Sequence, residues 1–185
     1  MRLSPEEFAA RDGRAFVIRS ARTNEAGALF DHYLMIRARE PEVNVEEADE
    51  WPATVDSVRR LVEGLDRAPN GFLLVADGGG IIGALSVEGG RFRKVRHVGE
   101  VGLSVARSWR RQGVGRALME CAIELARTSP ELLRLSLRVF ASNAPAVKLY
   151  ESIGFEVEGR RPGHVRIRGR DDDVILMGIV LRAGS

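Results

Sequence analysis

Between residues 98 and 127 the chain changes period, and that change limits the folds open to it. The stretch "VGEVGLSV" (98–105) alternates, with Val101, Leu103 and Val105 on one side and Glu100, Gly102 and Ser104 on the other. From Val114 the apolar residues recur at helical spacing instead. Leu118, Cys121, Ala122 and Leu125 share a face, and the run closes before Pro130. A strand that turns directly into an amphipathic helix lays that helix back over its own sheet. The turn between them, "ARSWRRQGVGR", sets Gly113 and Gly115 among Arg110, Arg111 and Arg116.

The rest of the chain divides in the same way. "AFVIRSA" (15–21) reads as a first strand. Residues 23–40 read as a helix with Ala26, Leu29, Phe30, Tyr33, Leu34 and Arg37 near one face. An acidic loop follows at 41–52, and Thr54 caps a helix over 55–67. Residues 71–90 form a hairpin with Asp77–Gly80 as its turn, and "RFRKVRH" (91–97) is a basic connection. "LLRLSLRVF" (132–140) alternates, and residues 143–155 give a short helix with Pro145 in its first turn and Gly154 at its end. "FEVEGRR" and "HVRIRG" read as strands, and "DVILMGIVL" (173–181), apolar on both faces, as a well-buried one. The class is α/β (α+β), a mixed layer on one sheet. Residues 1–14 read as a polar N-terminal extension and 15–185 as one domain, a length that supports a sizeable core.

Charge and composition remove several function classes. There are 28 basic and 26 acidic residues, a net charge of +2, so nothing in bulk draws the chain to nucleic acid. A single cysteine rules out an internal disulfide framework and a cysteine-rich zinc site. Three scattered histidines do not indicate a metal site; His97 and His164, each at a strand edge, are histidine alternatives for a proton acceptor or plain polar surface, and His32 on the first helix is no stronger a candidate. No run is long enough to span a membrane and no signal-peptide core precedes residue 14, so a cytoplasmic protein is expected.

The glycine turn carries chemistry. A strand-to-helix turn aims unpaired backbone N–H groups outward, and the helix dipole adds partial positive charge. Glycines let phosphate oxygens approach without a Cβ in the way, and arginine forks add formal charge. A phosphate or pyrophosphate is the expected guest; the alternative is a tight turn with solvated arginines. The stretch is not a dinucleotide fingerprint, since Leu118 stands at the third glycine position, and no G-K-[ST] makes it a P-loop.

A second constellation lies some thirty residues on. Asn143, Ala146, Leu149, Tyr150, Gly154 and Phe155 give N-x-x-A-x-x-L-Y-x-x-x-G-F. Together with V-x-x-x-x-R-R-x-G-x-G-R at 105–116, this resembles the GCN5-related N-acetyltransferase family over roughly residues 15–182. The resemblance implies a mixed sheet of about seven strands, splayed after the fourth and flanked by about four helices. It implies acetyl-CoA as co-substrate and no metal. The pyrophosphate would sit on Arg110, Arg111, Gln112, Gly113, Val114, Gly115 and Arg116, the pantetheine arm along Leu103, Ser104 and Val105, and Asn143 would bond the cofactor. Tyr150 matches the family's general acid, and Glu100 is the best candidate for general base.

Elementary chemistry agrees with that assignment. An alkyl amine is mostly protonated at pH 7 and must lose a proton before attacking a thioester. The departing thiolate gains from a tyrosine O–H, and the oxyanion from a free strand amide. Each residue also has a plainer reading: Tyr150 as a packed helix tyrosine, Asn143 as a helix cap, Glu100 as a solvated strand residue, Cys121 as a core thiol. In the acidic run, Glu46, Glu47 and Trp51 are the candidate acceptor contacts, against a solvated loop. The basic 91–97 segment would draw the adenosine 3′-phosphate or an acidic acceptor, or is simply solvated.

The leading expectation is therefore acetyl transfer to a primary amine: a small amine, an amino acid, an antibiotic, or a protein N-terminus or lysine. The alternatives are an acyl-CoA-binding sensor of the same fold without turnover, and a nucleotide-phosphate enzyme built on the glycine turn. The acceptor would be a small molecule or peptide, with no nucleic acid and no membrane, and the terminal strands offer an edge for a homodimer.

Overall fold

The computed structural model of the chain describes residues 1–39, 49–50 and 53–181. Chain order runs β1 (Glu6–Ala9), β2 (Ala15–Ser20), α1 (Ala26–Arg39), α2 (Val55–Arg67), β3 (Phe72–Asp77), β4 (Ile81–Gly89) and β5 (Val98–Val105). Then come α3 (Val114–Arg127), β6 (Arg134–Phe140), α4 (Ala144–Ser152), β7 (Glu156–Ile167) and β8 (Arg170–Val180). The described strands form one eight-stranded sheet, ordered β1-β2-β3-β4-β5-β6-β8-β7. Every neighbouring pair is antiparallel except β5 and β6. No helix among the described residues is long and apolar enough to cross a membrane.

Helices cover both faces of the β2–β5 half. On one face α3 sinks Val114, Leu118, Met119 and Ala122, all fully buried, against Leu74, Leu85 and Val87. On the other, Ala26 and Leu29 of α1 and Val58, Val62 and Leu65 of α2 close over Leu73, Val75 and Ala84. The strand periodicities work as read: even and odd residues of β3–β5 feed opposite layers.

Four elements differ from the sequence reading. The sheet has eight strands rather than about seven, because Glu6–Ala9 pairs with β2 inside the segment taken as an extension. "EEFA" is too short and polar to show a period; its backbone pairing and the stacking of Phe8 on Phe16, centroids 5.5 Å apart, hold it. The two strands read at "FEVEGRR" and "HVRIRG" are one, β7, with register breaks at Val157/Gly159 and Arg161/Val165. β8 is less buried than expected: Val174 and Met177, on opposite faces, are buried, but Ile175, Leu176 and Ile179 are half-buried and Val180 is 64% exposed. In α1 the buried stripe is Ala26, Leu29, His32 and Ile36, while Leu34 is exposed.

The parting of β5 from β6 positions everything that follows. Only three pairs are in register, Val98↔Arg134, Gly99↔Leu135 and Glu100↔Ser136. On its other side β5 pairs with β4 along its length, from Gly83↔Val105 to Gly89↔Gly99. The bonds Ala106 N–H to Ile82 O (2.8 Å) and Gly90 N–H to Val98 O (3.1 Å) set the parity. Even-numbered residues of β5 turn their N–H and C=O toward β4, and odd-numbered ones turn away from it. Beyond Glu100 the backbone groups of Leu103 and Val105 therefore face an open gap.

A buried cation ties β2 to the turn before α1. Arg19, 7% exposed, donates to Glu25 (2.5 and 2.8 Å) and to Asp77 (2.8 Å). The Arg19 guanidinium holds the Glu25 carboxyl below its ordinary value, against the opposing effect of burial. A carboxyl depressed on folding adds stability above its unfolded value, about 4.3, and loses that stability as pH falls below it. Arg19→Gln is expected to cost about 3 kcal/mol at pH 7 and to flatten the loss of stability below about pH 4.5. Urea unfolding of both proteins between pH 3 and 7 checks this.

Candidate active site

The glycine turn is built at the C-terminal end of β5. Trp109, 8% exposed, anchors it: Arg14 lies over its ring at 3.6 Å, and Phe16 meets it edge-on at 6.2 Å. Two residues then take left-handed backbone, Arg111 at φ 61° and Gly113 at φ 96°, and Gly113 is the N-cap of α3. Left-handed residues bracketing a helix start curl successive N–H groups around a concavity suited to an anion.

The side chains around this turn sort differently from the sequence expectation. The Arg110 Nε–H donates to Val105 O at 3.1 Å, tying the turn to the strand. Arg116 is held by Glu120 and by Ser152 Oγ (2.6 Å). Gln112 accepts from the Asp12 N–H and, through its carbonyl, from the Arg11 N–H, both at 3.1 Å. Of the three arginines only Arg111 has a side chain uncommitted among the described residues. Val114 is fully buried and offers only its backbone.

Gly115 marks the path from this turn into the sheet. A Cβ there would point at Leu149, Leu103 and Val105, 3.5–3.7 Å away, in the space between α3, β5 and α4. These are ordinary van der Waals contacts with three side chains. The Val105 carbonyl already accepts from Arg110, while Leu103 turns its backbone toward the gap left by the splayed strands. Ser104 does not: its backbone pairs with Ala84, and its hydroxyl lies 2.9 Å from His32 Nε2. His32 is not a surface residue but is 4% exposed, and burial lowers its pKa to about 4, so it is neutral at pH 7.

A cleft of about 880 Å³ opens on the α1–α2 face of the sheet and runs into the splay. Its walls include Tyr33 of α1, Leu61 of α2, Glu88, Glu100, Leu103, Arg138, Asn143, Tyr150 and His164. Tyr150 is 8% exposed, packs on Phe155 at 6.0 Å, and burial pushes its hydroxyl up to about 12. It stays protonated at any ordinary pH, as a proton donor must. Asn143 caps α4, with Oδ1 accepting from the Ala146 N–H at 3.4 Å, while also lining the cleft.

Glu100 sits on the floor, but it is engaged. Arg138 donates to its Oε1 from Nε (2.8 Å) and Nη2 (2.6 Å). Directly across the strand pair stands Glu88. Burial, and then repulsion from Glu100, raises the Glu88 carboxyl above its ordinary value. Sequence reading missed Glu88, Arg138 and Tyr33. Their parity is visible in their strands and helix, but the register that sets Glu88 opposite Glu100 depends on an eight-residue connection.

Other expectations resolve simply. Glu46, Glu47 and Trp51 lie outside the described residues. Cys121 is a core thiol, 8% exposed and pushed up to about 11, chiefly by burial. The 91–97 connection precedes β5, so it lies at the opposite end of that strand from the glycine turn, about 24 Å away. It borders the cleft through Arg91, not the anion turn.

Comparison with known proteins follows the same lines. A sequence model of the acetyltransferase (GNAT) family matches residues 33–155. The L-amino acid N-acetyltransferase AaaT of Escherichia coli K12 is 33% identical over 102 residues, which cover 55% of this chain and 63% of that protein. The ribosomal protein bS18-alanine N-acetyltransferase of the same organism is 43% identical over 76 residues, 40% of this chain and 50% of that one. The chain thus spans between half and two thirds of the length of these curated relatives. The yncA acetyltransferase of Salmonella typhimurium, solved with its cofactor acetyl-CoA, shares the fold at a TM-score of 0.82. It is 21% identical, and the match covers 92% of this chain and 96% of that one.

The two glycines have opposite effects on stability. Gly113→Ala forces a Cβ into left-handed backbone and is expected to cost about 1 kcal/mol. Gly115 has no positive φ and meets only ordinary contacts, so Gly115→Ala is expected to add up to ~1 kcal/mol through helix propensity. Urea denaturation of the two variants checks the pair.

Proposed function

This chain belongs to the acetyltransferase (GNAT) family, and from that premise we propose that it moves an acetyl group from acetyl-CoA to a primary amine. The observation that carries the reading is the meeting of three things in one cleft: a buried protonated tyrosine, a pair of carboxylates, and a strand with free backbone groups. The relatives' names, an amino-acid and a ribosomal-protein alanine acetyltransferase, favour an α-amine as acceptor.

The residues fit acetyl-CoA. The N–H groups of Arg111–Arg116 and the free Arg111 guanidinium would hold the pyrophosphate. The Leu103 and Val105 edge would pair with the pantetheine amides as an added strand, through the space that Gly115 leaves open. Acetyl-CoA supplies the thioester that is attacked. Everything else falls to the chain.

The acceptor ammonium would enter between Glu88 and Glu100. Glu88 takes its proton, since Glu100 is fixed and neutralised by Arg138. The raised Glu88 value narrows the gap to an amine and favours the transfer. The freed lone pair forms the C–N bond as the C–S bond breaks. The Leu103 N–H would bear the charge that develops on the carbonyl oxygen. Tyr150 would give its proton to the departing sulfur, and the second proton that the new amide nitrogen sheds would return to the Tyr150 oxygen. No covalent intermediate with the protein is required.

Calorimetry with acetyl-CoA, coenzyme A, ATP and NAD comes first, followed by a thiol-release screen over free amino acids and N-terminal peptides. Tyr150→Phe is expected to lower kcat at least ~100-fold while acetyl-CoA binding survives. A base must be ionised, so kcat/KM should fall as pH drops through the raised Glu88 value. Glu88→Gln should remove most activity along with that acid limb. Glu100→Gln removes the facing charge and should move the limb to lower pH. Failure to bind either coenzyme would sink the proposal.

A further inference from the structure

The connection between β4 and β5 reaches the cleft rim, and the proposed chemistry leaves its residues unused. It is firmly built. Asn70 Nδ2 donates to Gly90 O (3.3 Å) and Arg96 O (2.8 Å), and Arg96 pairs with Glu131. The Val95 N–H closes on Phe92 O at 2.9 Å, and the Leu133 N–H on His97 O at 2.9 Å. A Cβ on Gly90 would overlap the Val95 backbone, so the ends pass too closely for any other residue.

This anchored loop presents an unusual tip. Phe92 is 79% exposed, more than any other large apolar side chain among the described residues, and Val95 beside it is 45% exposed. Arg91, Arg93 and Lys94 are exposed and have no acidic partner among the described residues. By contrast Arg96 at the base of the loop is paired, as are Arg134, Arg138, Arg160 and Arg166 elsewhere. Arg91 also lines the cleft that holds Glu88 and Glu100.

The charge pattern is therefore a negative floor beneath a positive, partly apolar rim. We propose that this loop docks the acidic, extended segment that follows the acceptor amine in a peptide substrate. The N-terminal ammonium sits between Glu88 and Glu100, acidic side chains two to five residues on meet Arg91, Arg93 and Lys94, and an apolar one meets Phe92. The inference rests on the acetyl-transfer reading and narrows its acceptor.

A peptide of three or four extended residues reaches from Glu88 to Phe92, which lies four positions along the chain and at most about 13 Å away. The floor argues against a nucleic acid: its carboxylates repel phosphates, a single aromatic gives little stacking, and a nucleic acid brings no alkyl amine.

The test uses the whole chain and two peptides that share an N-terminal alanine and a C-terminal fluorophore. One continues with four glutamates and a leucine, the other with four lysines and a leucine. Fluorescence anisotropy should show the acidic peptide binding at least tenfold tighter at 50 mM salt, with the difference shrinking at 300 mM. The Arg93→Glu, Lys94→Glu double variant should abolish the preference with its thermal midpoint unchanged, since both side chains are exposed. Phe92→Ser should weaken the acidic peptide alone.

Equal binding of the two peptides, or a preference that survives the double variant, overturns the inference. So does a uridine dodecamer that displaces the acidic peptide and binds more tightly. The two readings fail separately. A chain that acetylates free amino acids but ignores peptide charge keeps its activity and loses the docking loop. One that binds the acidic peptide through the loop but transfers no acetyl keeps the loop and loses the proposed activity.

Discussion

The structure depends on β5 leaving β6 after three registered pairs. Strands side by side in a sheet normally stay paired, because an unmet N–H or C=O inside a protein is costly. Here the parting is held open from both sides. Leu103 and Val105 pack toward α3, Leu137 and Val139 belong to the same core, and α4 stands at the mouth with Leu149 and Tyr150. The result is a strand edge at Leu103 whose backbone groups an extended, amide-bearing chain could meet, beside a Val105 carbonyl that Arg110 already holds.

The two ends of β5 offer different groups. At its C-terminal end the left-handed turn and the start of α3 gather positive potential. Near its N-terminal end, on the face turned toward α1, stand Glu88 and Glu100. In the proposed reaction an anionic co-substrate would lie at the glycine-turn end of the strand and a cationic acceptor beside the two carboxylates, and their reacting groups would meet where it splays. Transfer would then be direct, with no side chain carrying the group between them.

Much of this was legible in the sequence, for identifiable reasons. The β3–β4 hairpin, β5, α2 with its Thr54 cap, and α4 with Asn143 and Gly154 declare themselves through period and punctuation. So does the glycine turn. What stayed hidden depends on contacts distant in sequence. "EEFA" carries no pattern, and only a neighbouring edge makes it a strand. His32 looks polar, yet α1 turns it onto Ser104. Arg110 and Arg116 look like phosphate ligands, but Val105, Glu120 and Ser152 already hold them. Glu88 becomes chemically distinct only once register brings Glu100 across from it and Arg138 neutralises one of the two.

The period of two along β5 also lets one strand present different groups to the two proposed substrates. Odd residues send side chains into the α3 core and backbone toward the gap, so Leu103 would meet the co-substrate through groups common to all residues. Even residues send backbone to β4 and side chains to the α1–α2 face, so Glu100, Gly102 and Ser104 would shape the acceptor side. Gly102 leaves the floor low, and Ser104 fixes α1 to the strand through neutral His32. The acceptor face can therefore change residue by residue while the co-substrate edge, made of backbone, stays the same. A sheet that splays beside such a strand offers a fixed donor site and a variable acceptor site from the same eight residues.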